Sequence, residues 1–189
     1  MANKTFDVLV IGGGPGGYIA AIRSAQLGLA TACIESDSYA DPKGQVRLGG
    51  TCLNVGCIPS KALLQSSELF DQANHSFSMH GISTSGVKID VKSMVKRKDN
   101  IVDQLTGGIK SLFKKNKVTL LPGHGKFVGR EDDRWLVDVN GEVIAATHVV
   151  VATGSKPRHL PGIPVDNVTI CDNTGALAFD SVPKRLGVI

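Results

Sequence analysis

Cys52 and Cys57 are separated by four residues in the segment Gly49-Gly50-Thr51-Cys52-Leu53-Asn54-Val55-Gly56-Cys57-Ile58-Pro59-Ser60-Lys61. Neither a histidine nor another cysteine stands near them, and Cys33 and Cys171 are isolated in apolar runs where core positions are expected. A tetrahedral zinc site takes about four such ligands, so no metal is expected. Thiol chemistry is the remaining use. On an ideal helix the two Cα atoms would lie about 8.6 Å apart, beyond the roughly 7 Å that a disulfide spans. If the pair oxidises, the segment must be distorted or only partly helical, and Gly56 and Pro59 are residue types that permit this. A bond held in such a place is easier to reduce than a structural one, and a helix N-terminus or a cation such as Lys61 favours an attacking thiolate. Two unconnected thiols and an exchanging pair both remain open on these grounds.

The second constellation is Gly12-x-Gly14-x-x-Gly17. The first glycine allows a tight turn, the second lets a pyrophosphate approach the backbone, and the third lets helix and strand pack closely, with helix N–H groups facing the phosphates. Such a motif carries weight only in its context, and here the order is right. The apolar run Phe6 to Ile11 reads as a strand, Pro15 suits a first helical position, and an alanine-rich helix ends at Leu27-Gly28. A second strand, Ala30 to Ile34, leads into Glu35, roughly 20 residues beyond the glycines, where an acid meets a ribose 2′-OH. A dinucleotide is the natural ligand.

The elements that must position these groups can be traced onward. Ser36 to Leu48 carries turn residues and charges and reads as an exposed loop. From Lys92 to Lys115, Val95, Ile101, Val102, Leu105, Ile109, Leu112 and Phe113 recur at helical spacing. The lysine clusters KRKD and KKNK read as the solvated face of that helix; no aromatic residues interleave them, so nucleic acid is not expected. After Lys117 the runs KVTLLPG, GKFVG, RWLVDVNGEV and THVVVATGS, with an Asn140-Gly141 turn, suggest a small antiparallel meander whose last run, Val149 to Val151, returns to a buried strand. PRHLPGIPVDN is a proline-rich linker, and the segment from Pro183 to Ile189 is strand-like. The fold expected is α/β: a Rossmann-like domain with a parallel sheet, flanking helices and an antiparallel β-meander.

Composition agrees with a folded chain. The 189 residues are 42% hydrophobic and 20% charged, and 21 basic against 17 acidic side chains leave a net charge of +4. Disorder is excluded by these values. The 22 glycines are well above the usual share of about 7%. The sequence contains no stretch of roughly 18 apolar residues, and its start lacks the basic and apolar regions of a secretion signal, so a cytoplasmic location without membrane contact is expected.

The block GGTCLNVGCIPSKALL, with VLVIGGGPGGY near the start and THVVVATGSKPR further on, resembles the pyridine nucleotide-disulfide oxidoreductases over essentially the whole chain. The resemblance implies that Gly12, Gly14, Pro15 and Gly17 receive the pyrophosphate of FAD and that Glu35 holds its adenosine ribose. It places Gly50, Thr51 and Cys52 along the cofactor, Lys61 near the flavin N5, Gly125 against the adenine, and Thr153-Gly154-Ser155 at the edge of the flavin domain. Cys52 and Cys57 would form the redox disulfide, Cys57 facing the flavin as the charge-transfer thiolate and Cys52 exchanging with the substrate dithiol. Leu53, Ile58, Ser60 and the following ALL point within the family to members that oxidise dihydrolipoamide with NAD. Glutathione and mercuric reductases using NADPH are the alternative, and a flavin-binding fragment without turnover is another. By the same resemblance, residues 1–156 form the FAD-binding domain and 157–189 a linker and the first strand of an NAD-binding domain whose site lies beyond this chain. The implied partners are a lipoyl-bearing protein of the 2-oxo acid dehydrogenase complexes and, at full length, a second copy in a homodimer.

Overall fold

A run of β-branched and aliphatic residues, Val8-Leu9-Val10-Ile11, forms the buried middle of the sheet, because the part of a strand flanked on both edges and covered on both faces must be apolar. The computed structural model describes residues 4–39, 41 and 43–189. Met1–Asn3, at the start used to read a location, lie outside them, as do Ala40 and Pro42 of the expected loop.

The contacts divide the chain into two units, one comprising residues 1–54 and 104–156 and the other 55–103 and 157–189. The first holds a six-stranded sheet, ordered β3-β2-β1-β6-β5-β4. Its strands are β1 (Lys4–Ile11), β2 (Thr31–Glu35), β3 (Thr119–Pro122), β4 (Gly125–Glu131), β5 (Arg134–Val139) and β6 (Glu142–Val151). β1 runs parallel to both β2 and β6, and β2 runs parallel to β3. β4, β5 and β6 form the antiparallel part.

Two differences from the sequence reading concern this sheet. KVTLLPG does not join the meander: as β3 it pairs parallel with β2, Ile34 facing Leu121. A long helix lies between those strands and returns the chain to the end of the sheet where it began, which makes the pair parallel. Val149 to Val151 belong to a strand, but Val151 is 63% exposed. β5 reaches only as far as Ala146, so the end of β6 has β1 as its single neighbour. Asn140 and Gly141 make the turn, both at positive φ, 54° and 87°; this is the left-handed conformation a two-residue hairpin needs.

The core consists of Leu9, Ile11, Ala32, Ile34, Leu121, Val137, Val139, Ile144 and Ala146. Helix α1 (Pro15–Gln26) packs on it through Gly17, Ala21 and Ile22. Gly28 follows the helix end at φ +87°, as a left-handed cap requires.

α2 (Gly50–Val55) closes the first part of this unit, and α3 (Cys57–His75) opens the second. α4 (Val91–Lys115) follows the expected helix within a residue, with Val102, Ile109 and Phe113 buried on one stripe. One lysine departs from the solvated-face reading. Lys98 falls on that stripe and is 7% exposed, its ammonium 2.6 Å from the Asp99 carboxylate.

The second unit contains α3, a short 3-10 helix at Phe77–His80, and α5 (Asn173–Ala176). Arg97 donates to the Ala62 carbonyl at 3.1 Å and to Gln65 at 2.7 Å. Pro183 to Ile189 form no strand and are exposed. No helix among the described residues is long and apolar enough to cross a membrane.

Candidate functional site

Strands β2 and β3 extend the sheet to one side of β1, whereas β6 lies on the other. Chain direction therefore reverses its order beside β1, the point at which open α/β sheets have their ligand crevice, at the carboxyl ends of the strands. Gly12 follows β1, Glu35 ends β2, Gly125 begins just after β3, and Thr153 follows β6. The expected contacts gather at this one end.

The glycine turn is close-packed in the way the motif demands. A Cβ on Gly12, whose φ is +106°, would stand 2.2 Å from the Ala152 carbonyl oxygen and 3.3 Å from the Thr153 Cα. One on Gly17 would lie 1.7 Å from the Gly12 oxygen. Gly14 is the N-cap of α1 and Pro15 sits in its first turn; no side chain caps this end. The helix start therefore presents its N–H groups and the positive end of its dipole to the crevice.

Glu35 is 8% exposed. Its carboxylate accepts from Gly13 N–H at 2.9 Å, and from the N–H groups of Ser36 and Asp37 at 2.7 and 2.9 Å. The acid thus ties the phosphate turn to the end of β2 before any ligand is considered.

A second glycine pair lies on the first. Gly49 N–H donates to the Gly13 carbonyl at 2.8 Å. A Cβ on Gly50, at φ +59°, would come 2.7 Å from the Gly14 Cα. Gly50 starts α2, so Thr51, which is exposed, and Cys52 follow directly from the crevice. Gly125 lies over the strand ends, its Cβ position 3.0 Å from Ile34 and 3.3 Å from Ile11. Gly154 adopts φ +70°, and Ser155 is exposed beyond it.

Cys57 and Lys61 belong to the second unit. α2 ends at Val55, Gly56 departs from helical geometry at φ −140° and ψ −115°, and Cys57 is the first residue of α3. This is the interrupted helix that the spacing requires of an oxidisable pair. Pro59 falls in the first turn of α3, where its missing N–H costs nothing. Cys57 is exposed, and Lys61 stands one turn further along the same helix face. Cys52 and Cys57 are both thiols in this structure.

The sequence reading missed three residues of the first unit. Leu48, placed in the exposed loop, is wholly buried, and a Cβ on Gly13 would meet its side chain at 2.6 Å. Asn54 donates to the carbonyls of Leu48 and Gly50 at 3.2 and 2.9 Å. The Gly49-Gly50 doublet was the signal that this loop returns to the turn. Tyr39 has no such signal; burial pushes its phenol up to about 12, with the Glu35 and Asp37 carboxylates adding to the effect. Of the outlying cysteines, Cys33 is buried beneath the turn, its thiol 3.7 Å from the Gly12 carbonyl oxygen, and burial pushes it up to about 12. Cys171 is only partly buried, not a core residue.

With this geometry in view, comparison with known proteins is decisive at the level of family. The pyridine nucleotide-disulphide oxidoreductase family matches residues 6–189. The chain belongs to that family. A dihydrolipoyl dehydrogenase of Cupriavidus necator is 64% identical over 187 residues, covering 99% of this chain and 40% of its own length. The mitochondrial dihydrolipoyl dehydrogenase 1 of Arabidopsis thaliana is 52% identical over 184 residues, covering 97% of this chain and 35% of its own. A leghemoglobin reductase of Vigna unguiculata is 51% identical over 184 residues, covering 97% and 34%. The chain therefore spans well under half the length of the curated relatives it matches.

Proposed function

We propose that this chain is the FAD-binding part of a dihydrolipoyl dehydrogenase, with residues 1–156 as the flavin domain and 157–189 leading into the NAD-binding domain. The observation that carries the reading is the packing of Gly50 on Gly14, which starts the helix bearing Cys52 at the phosphate turn itself. The residues present fit FAD: a turn that excludes Cβ atoms, an uncapped helix start, and a buried carboxylate at the end of β2. Gly12, Gly14, Pro15 and Gly17 would hold the pyrophosphate and Glu35 the adenosine ribose, with Gly50, Thr51, Gly125 and Thr153-Gly154-Ser155 along the cofactor and Lys61 near its ring. When bound, FAD supplies a two-electron carrier between the cysteine pair and NAD.

The chemistry of the protein's own residues is thiol–disulfide exchange. A thiolate of the substrate dithiol attacks Cys52 Sγ in the oxidised pair, and Cys57 leaves as a thiolate. The second substrate thiol then displaces Cys52, closing the lipoyl disulfide and leaving both cysteines reduced. The break at Gly56 supports this role for the pair.

We assign as partners a lipoyl-bearing protein of the 2-oxo acid dehydrogenase complexes and, in the full-length protein, a second copy in a homodimer. A cytoplasmic location belongs to the same proposal, since the disulfides that occur in a reducing compartment are mostly transient, catalytic ones such as this pair would form. Full-length protein carrying this sequence is expected to purify yellow and to reduce NAD with dihydrolipoamide, and Cys57→Ser is expected to abolish turnover. Unchanged turnover in that variant would refute the assignment.

A further inference from the structure

The Val55–Gly56 peptide, one residue before Cys57, is held from far along the chain. Val55 is the last residue of α2, and its carbonyl is one of those a helix C-terminus leaves without an intrahelical donor. It accepts a 2.6 Å hydrogen bond from the Asn173 side-chain amide, 118 positions away. The next carbonyl, that of Gly56, accepts from Ser60 twice, from its N–H at 3.1 Å and its hydroxyl at 2.7 Å. The two peptide oxygens ahead of Cys57 are therefore both taken, one by its own helix and one by Asn173.

Asn173 is itself rigidly presented. Asp172 caps α5 by accepting from Thr174 N–H at 2.8 Å. Asn167 Oδ1 accepts from the N–H groups of Asp172 and Gly175, each at 3.1 Å. The turn is too tight for a side chain at Gly175, where a Cβ would lie 2.6 Å from Asn167 Oδ1. These bonds fix the backbone from which the Asn173 side chain projects. A flexible tether would need none of them.

We propose that Asn173 is a positioning residue for the redox pair: by holding the Val55 carbonyl it fixes the glycine break from which Cys57 emerges, and so stabilises the disulfide relative to the dithiol. The proposal rests on reading Cys52 and Cys57 as the exchanging pair. Gly56 has the backbone freedom to let Cys57 drift once that carbonyl is released, and the effective concentration of one thiol at the other then falls.

The experiment equilibrates full-length, FAD-loaded protein with reduced and oxidised glutathione, traps thiols with iodoacetamide, and quantifies the Cys52–Cys57 disulfide by mass spectrometry. Asn173→Asp keeps the side-chain size but replaces the donating amide with an acceptor; Asn173→Ala removes it. A fall of about fivefold in the effective concentration of one thiol at the other predicts that both variants need about fivefold more oxidising buffer for half-formation of the disulfide. For a two-electron couple that is about 20 mV toward the positive. Flavin absorbance per chain is expected to stay at the wild-type level. Wild-type midpoints in both variants would overturn the proposal, as would a shift in Asn173→Ala alone accompanied by flavin loss. Absence of the disulfide in the wild type at every buffer ratio would instead overturn the reading of the cysteine pair, and the proposal with it.

Discussion

Gly17→Ala tests the tightest approach in the nucleotide turn. The added Cβ would stand 1.7 Å from the Gly12 oxygen, against the 3.0 Å below which real Cβ contacts are essentially never found, so at least 1.3 Å of separation must open. The Gly12 carbonyl carbon, at 2.8 Å, is main chain as well, so no side-chain rotation can relieve the clash. α1 must lift from β1. Overpacking of this kind costs about 3 kcal/mol, the upper part of the usual range, because only backbone can yield. In urea, where small proteins lose about 1–3 kcal/mol per molar, the unfolding midpoint should fall by roughly 1–3 M. Gly16→Ala is the matched control. It sits in the same helical turn, its Cβ position is 3.9 Å from the nearest atom, an alanine Cβ, and the exchange gains up to about 1 kcal/mol of helix propensity. Urea unfolding followed by circular dichroism should separate the two variants in opposite directions. Equal midpoints for Gly17→Ala and wild type, or equal losses in both variants, would refute the packing argument.

Leu48→Ala should cost about 2–5 kcal/mol, since the residue is fully buried under the glycine turn and its removal leaves a cavity; the same urea assay measures it. Cys33 should resist iodoacetamide in the native chain up to pH 9 and react once urea unfolds it, whereas the exposed Cys57 should react at once, as read by peptide mass spectrometry. The pH dependence has a definite sign. Cys33 and Tyr39 both bind their protons more tightly folded than unfolded, so their contribution is complete below their ordinary values of 9.0 and 10.0 and is lost as pH rises toward about 12. Unfolding midpoints should therefore fall in alkaline buffer, and less so in Cys33→Ala.

The nucleotide turn was legible because its demands are local. Gly12, Gly17, Pro15 and Gly28 each meet a requirement set within a few residues, and the structure places each where the motif predicts. The long helix was legible from its period, and so was the Asn140-Gly141 turn. What the sequence hid depends on distant partners. Leu48 lies among charges, and its burial is set by Gly13 far upstream. Lys98 reads as a solvent residue until its position on the buried stripe of α4 is known. The parallel pairing of Thr119–Pro122 with β2 follows from the helix between them rather than from the composition of the run, which also suits an antiparallel hairpin. Asn173 carries no motif at all, and its role comes from a carbonyl 118 positions away.

The pairing of β1 with β6 has a bearing on synthesis. Val8 lies beside His148, a gap of 140 positions, and its other neighbour, Thr31, is supplied early. At about 5–20 residues per second, roughly 7–28 s pass between translation of the first strand and of its central partner. Throughout that interval Val8 to Ile11 offer an open apolar edge, the kind that recruits other chains. The ribosome thus finishes the flank of the nucleotide crevice long after it has made the floor, and the nascent chain must be shielded in between.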